Sequence, residues 1–128
     1  MNVVDSSGWL EYFTEGVNST FFENVIEKKN ELLVPTISIY EVFKKIVLER
    51  TENEALLAIA TMLQGKVVEL DSNLSISAAR ISLKLQIPMA DSIMLATARI
   101  YNAVLWTQDS HFEKIDGVQY RAKNKVFG

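Results

Sequence analysis

No cysteine occurs in the 128 residues, which excludes disulfide staples, thiolate metal sites and cysteine nucleophiles. Histidine is nearly as scarce, since the single His111 has no second histidine or thiol with which to complete a transition-metal set. A run long and apolar enough to cross a bilayer is also lacking, and the opening Met-Asn-Val-Val-Asp has neither the basic region nor the apolar stretch of a signal peptide. The expectation is a cytoplasmic protein without membrane contact. Basic residues are in deficit as well. Thirteen Lys and Arg stand against 16 Asp and Glu, for a net charge of −3, unlike the basic footprint of a dedicated DNA-binding module. Nucleic acid would have to be held locally or through a metal.

What is present is ordinary for a soluble globular chain and argues against disorder: 48% hydrophobic and 23% charged residues. A mean hydropathy of +0.10 leaves room for a buried partner interface. The length suits one compact domain over residues 1–128, which can bury roughly two-thirds of its unfolded surface.

Apolar runs and helical periodicities alternate along the chain. Strands are predicted over Asn2–Val4, Glu31–Val34, Lys66–Leu70, Ala103–Trp106 and Val118–Tyr120. Between them, helical spacing covers Ser6 to Gly16, Thr20 to Lys29, Ser38 to Arg50, Glu52 to Gln64, Asp71 to Pro88 and Ala90 to Tyr101, with a short helical piece at Phe112–Ile115. Such alternation predicts an α/β fold, a three-layer sandwich in which a short, mainly parallel sheet of four to five strands is covered by helices on both faces. The tail Arg121-Ala-Lys123-Asn-Lys125 is basic, either a solvated end or a strip that contacts phosphate.

Four acids stand out by position. Asp5 and Asp109 follow strands, while Glu41 and Asp91 open helices. Each also has a local reading. Asp5 can cap the first helix, and Asp91 suits the positive end of a helix dipole. Asp109 is favoured in the Thr107-Gln108-Asp109-Ser110 turn. Glu41 on local grounds reads first as the partner of Ser38 in a Ser-x-x-Glu capping box. Their joint placement points further, because a parallel sheet gathers strand ends and helix starts at one crevice. Carboxylates gathered there repel one another, and a divalent cation relieves that repulsion. With oxygen ligands, Mg²⁺ or Mn²⁺ is favoured over zinc.

The contexts of these acids carry a resemblance. Val3-Val4-Asp5-Ser6-Ser7, Ser38-Ile39-Tyr40-Glu41-Val42, Ala90-Asp91-Ser92-Ile93-Met94-Leu95-Ala96-Thr97-Ala98 and Leu105-Trp106-Thr107-Gln108-Asp109-Ser110-His111-Phe112 occur in order along nearly the whole chain. Together they resemble the PIN-domain ribonucleases, and within them the VapC-like toxins of toxin–antitoxin pairs. The resemblance implies that Asp5, Glu41, Asp91 and Asp109 coordinate Mg²⁺ or Mn²⁺, with Thr107 and Ser7 as supporting hydroxyls. It implies hydrolysis of RNA phosphodiesters by water, a homodimer, and a cognate antitoxin that disables the site. Asp5 and Asp91 are then the first choices for direct ligands, Asp109 a direct or water-mediated one, and Glu41 a ligand or an orienter of the attacking water. Where many relatives carry a further acid, this chain has His111, which weakens any second metal site and otherwise reads as a surface histidine. Lys44, Lys45, Arg80, Lys84, Arg99, Arg121 and Lys123 are the candidates for the RNA backbone, each with a solvated-face alternative. The helices over Thr20–Lys29 and Ile39–Arg50 carry enough apolar residues for a groove or dimer face.

Rival readings divide on particular residues. A phosphatase with an Asp nucleophile needs a second Asp where Ser7 stands, and a response-regulator receiver needs paired acids near the first strand and a late Lys. Neither pattern is present. A non-catalytic RNA- or protein-binding module has no need to keep four mutually repelling carboxylates. A housekeeping nuclease for RNA processing is the alternative to the toxin, which the compact chain without extra modules favours.

Overall fold

The computed structural model describes residues 1–123, so Lys125 of the basic tail lies outside the described residues. Five strands, β1 (Asn2–Val4), β2 (Leu32–Pro35), β3 (Lys66–Val68), β4 (Val104–Thr107) and β5 (Val118–Tyr120), alternate with six helices. These are α1 (Ser6–Phe13), α2 (Ser19–Ile26), α3 (Thr36–Glu49), α4 (Glu52–Met62), α5 (Ser72–Leu85) and α6 (Met89–Ile100). The strands form one sheet in the order β3-β2-β1-β4-β5, and every neighbouring pair is parallel. The predicted three-layer α/β sandwich is therefore the observed one, at the upper end of the expected strand count.

The layering follows from chain direction. From β1 the chain steps outward to β2 and β3, then crosses back to β4 and β5. Right-handed crossovers put the helices of the two directions on opposite faces. Strand side chains alternate between these faces. Val3, Leu33 and Leu105 join Met94, Leu95 and Phe112 in one core, while Val4, Leu32 and Val34 join Trp9, Phe22, Val42 and Met62 in the other. Helix α6 is buried continuously from Ser92 to Ala98, as its Ala- and Met-rich sequence requires of a helix wedged against the sheet.

Gly8 sets how closely α1 follows β1. A Cβ there would stand 2.6 Å from Phe22 and 2.7 Å from Val4, so a larger residue would push the helix off the strand end that carries Asp5. Two local starts differ from expectation by two residues. The turn expected at Phe112–Ile115 is a 3₁₀ turn at Ser110–Phe112, because the Asp109 side chain accepts the His111 amide and starts it earlier. Helix α3 begins at Thr36, where Pro35 with φ −62° and ψ 138° supplies the extended cap residue directly.

Candidate metal centre

In a sheet ordered β3-β2-β1-β4-β5 the direction of the connections reverses between β1 and β4, and open parallel sheets bind ligands beyond the carboxyl ends of strands at such a point. Asp5 follows β1 directly and Asp109 lies two residues beyond β4. Asp91 occupies the first turn of α6 and Glu41 the second turn of α3, and these two helices pack against each other.

Asp5 is buried and fully engaged. Its Oδ1 accepts the Ser7 hydroxyl at 2.7 Å and the Gly8 amide at 3.0 Å, and its Oδ2 accepts the Thr107 hydroxyl at 2.6 Å. Thr107 Oγ1 in turn accepts the Asp109 amide at 2.9 Å, so one hydroxyl ties the ends of β1 and β4 together. Burial pushes the Asp5 carboxyl up to about 6 against the pull of these three donors, and the Asp109 charge adds to the rise. Asp5 caps α1, as its local reading expects, and stands at the carboxyl end of β1.

The capping-box reading of Glu41 does not hold. Because α3 starts at Thr36, Ser38 is already inside the helix, and its hydroxyl donates to the Pro35 carbonyl at 2.6 Å. Glu41 instead accepts the Ser6 hydroxyl across the crevice at 2.6 Å. Asp91 is pushed up to about 6 by burial and by the Asp109 charge, with Glu41 contributing and His111 opposing.

His111 is exposed, as expected of a surface histidine, yet it is part of the centre. Its Nδ1 lies 2.9 Å from Asp91 Oδ2 and 3.1 Å from Asp109 Oδ1. The Asp109 charge, followed by the hydrogen bond with Asp91, raises its pKa. One ligand atom each from Asp91, Asp109 and His111 lies within 4.8 Å of the others, a span that a cation with ligand distances of about 2.0–2.6 Å can bridge. The donor set therefore fits a divalent cation. Asp5 and Glu41 stand outside this tight group but share its field, Asp5 through Asp109 and Glu41 through Asp91.

All seven basic candidates are exposed. Lys45 pairs with Glu49 at 2.9 Å, Lys44 lies over the Tyr40 ring, and Arg121 lies 4.6 Å from the Phe21 ring centre. Arg80 and Lys84 sit on α5, and Arg99 sits in the last turn of α6, about 12 Å along the helix from Asp91. Lys123 reaches the buried Glu11 at 3.3 Å. Burial opposes the Glu11 charge, but the Asn18 amide, Lys123 and Gln108 outweigh it and hold the carboxyl below its ordinary range. Ser7, Gln108, Lys45, Lys123 and Arg50, the last not singled out from sequence, line one cleft.

Besides Arg50, the sequence reading passed over Ser6 and Glu11, and it read His111 as a surface residue rather than as part of the centre. The signal for His111 was its position two residues beyond a turn Asp, where an Asx-type turn curls it back. Ser6 neighbours the Ser7 that was chosen. Glu11 is an acid within the apolar Trp9-Leu10-Glu11-Tyr12-Phe13 run.

The fold has solved counterparts. A toxin–antitoxin complex from Klebsiella pneumoniae superimposes with a TM-score of 0.75 at 18% identity, covering 93% of this chain and 96% of that one. VapC20 from Mycobacterium tuberculosis, a toxin that cleaves the sarcin–ricin loop, gives 0.78 at 15% identity over 92% and 97%. DNA-bound VapBC from Salmonella typhimurium gives 0.75 at 14% identity over 96% and 98%. No curated protein matches the chain in sequence. The PIN domain, however, matches residues 3–118, from the middle of β1 into β5, and the chain belongs to the PIN domain family.

Proposed function

We propose that this protein is a divalent-metal-dependent endoribonuclease and the toxin of a toxin–antitoxin pair, built as one PIN domain over residues 1–128 and acting in the cytoplasm. The observation that carries the reading is the meeting of Asp91, Asp109 and His111 ligand atoms within 4.8 Å at the sheet's switch point, with Asp5 and Glu41 in the same field.

Asp91 and Asp109 are the residues best placed to hold Mg²⁺ or Mn²⁺. Asp5, locked by Ser7, Gly8 and Thr107, presents a fixed negative charge at the strand end and keeps β1 and β4 in register around the site. Glu41, steadied by Ser6, faces the crevice from the opposite helix and serves to orient the attacking water. When bound, the cation supplies an activated water and stabilisation of the leaving oxygen. The RNA backbone follows the cleft of Lys45, Arg50 and Lys123, where phosphate competes with Glu49 and Glu11, which line the same cleft, for the two lysines.

Partner binding is supported by two exposed apolar faces, Tyr40, Val47 and Leu48 on α3 and Leu70, Leu83 and Met89 beside α5 and α6. Contiguous apolar surface of this kind marks protein interfaces, and two separate faces suit both a second copy of the chain and an antitoxin. The similarity to structures of toxin–antitoxin complexes supports the same partners.

The test is cleavage of single-stranded RNA by the purified protein. Cleavage is expected only with Mg²⁺ or Mn²⁺, and Asp5→Asn or Asp91→Asn abolishes it with the fold intact. Cleavage by the double variant in chelator refutes the metal mechanism. Growth arrest on expression, relieved by the product of an adjacent small gene, separates a toxin from a housekeeping nuclease.

A further inference from the structure

The imidazole at the centre has a chemical consequence that an all-carboxylate site lacks. The 3₁₀ turn Ser110–Phe112 holds His111 from both sides. Phe112 is completely buried in the core, and the His111 amide donates to Asp109 Oδ1 at 2.9 Å. The ring is thereby held with Nδ1 between Asp91 Oδ2 and Asp109 Oδ1, at 2.9 and 3.1 Å, while more than half of the side chain faces solvent. Such a nitrogen either donates a proton to the two carboxylates or, with the proton on Nε2 at the solvent side, offers its lone pair to a cation between them.

We infer that His111 is a metal ligand through Nδ1, and that this nitrogen makes the centre select Mn²⁺ over Mg²⁺. The inference rests on the proposed metal site. Mg²⁺ favours oxygen ligands and retains several waters. Imidazole binds divalent transition ions in the order of their affinity for nitrogen, so replacing one oxygen donor by nitrogen favours Mn²⁺ and the later ions over Mg²⁺. His111 also closes the donor triangle, whose ligand atoms all lie within 4.8 Å of one another. Its removal leaves two carboxylates that either cation can use.

The experiment measures Mn²⁺ and Mg²⁺ binding to the full chain by calorimetry, and the Mn²⁺ complex by pulsed electron paramagnetic resonance. The wild-type Mn²⁺ complex is expected to show coupling to a directly bound nitrogen. His111→Ala is expected to lose that coupling and to weaken Mn²⁺ by about 10- to 100-fold while changing Mg²⁺ far less. His111→Asp is expected to narrow the Mn²⁺ preference by restoring an oxygen donor. Mn²⁺ bound by the wild type without nitrogen coupling overturns the role of His111 and leaves the carboxylate site standing. If Asp91→Asn binds Mn²⁺ as tightly as the wild type, the metal centre itself fails. The resonance signal is read on the wild type, so the inference remains testable even if a His111 variant does not fold.

Discussion

Replacing Asp5 by Asn should stabilise the metal-free protein while weakening its metal site. The ionised carboxylate is buried, and its pKa is raised from 3.8 to about 6. Between those values the folded protein holds a proton that the unfolded chain has released, so stability falls as pH rises through this window and the full cost is present above it. A shift of about two units corresponds to roughly 3 kcal/mol at pH 7. Asn removes the charge and keeps the oxygen that accepts Ser7 and Gly8. Its amide nitrogen then faces the Thr107 hydroxyl, which already accepts the Asp109 amide and loses its own acceptor, at a cost of about 1 kcal/mol. The balance is a gain of about 1–2 kcal/mol, or roughly 4–8 °C in Tm for a chain of this length. Thermal unfolding in EDTA at pH 7.5 and at pH 4 checks it, since at pH 4 folded Asp5 is already protonated, the gain is lost and the Thr107 cost should leave the variant slightly less stable than the wild type. Saturating Mn²⁺ should narrow or reverse the difference, because the variant lacks the Asp5 charge beside Asp109 and binds the cation more weakly, whereas the wild type gains about 2.7 kcal/mol at one hundred times its Kd. An Asn variant less stable than the wild type at pH 7.5, or a difference independent of pH, would refute the reasoning.

Other perturbations probe the same framework. Gly8→Ala forces a Cβ against Phe22 and Val4 and should cost about 1–3 kcal/mol in denaturant unfolding, with weaker Mn²⁺ binding because Asp5 moves with α1. Thr107→Val removes the largest offsetting hydrogen bond of Asp5, so carbon-detected titration of that carboxyl should show a midpoint above about 6; an unmoved midpoint would mean that the other donors compensate. Asp109→Asn should bring the His111 titration down towards the ordinary 6.5, read from its ring proton shifts, because the Asp109 charge is the main cause of its rise.

The fold was legible because its signals are local and periodic. Strand runs bounded by Gly, Pro and Asp, and helices with apolar faces, specify alternation, and alternation with right-handed crossovers leaves few arrangements other than a covered parallel sheet. The start of α3 was read two residues late because Ser38-x-x-Glu41 is a good capping signal on its own, and a Pro with extended geometry just upstream outcompeted it. The four acids were legible as a set through their places at strand ends and helix starts. Their unequal roles were not. Nothing in the order of residues says that Asp5 spends both oxygens on hydroxyls and an amide, or that Glu41 reaches Ser6.

By itself the sequence determined the layers, the parallel sheet and the convergence of carboxylates on its carboxyl edge, since burial periodicity and chain handedness act through neighbours a few residues apart. Tertiary structure alone decided which donors meet. Asp91 and His111 are 20 residues apart in the chain and their side chains touch at 2.9 Å. The pairing depends on where a buried Phe112 and a two-residue Asx turn leave the ring, and that is a matter of packing across the crevice which no local pattern encodes.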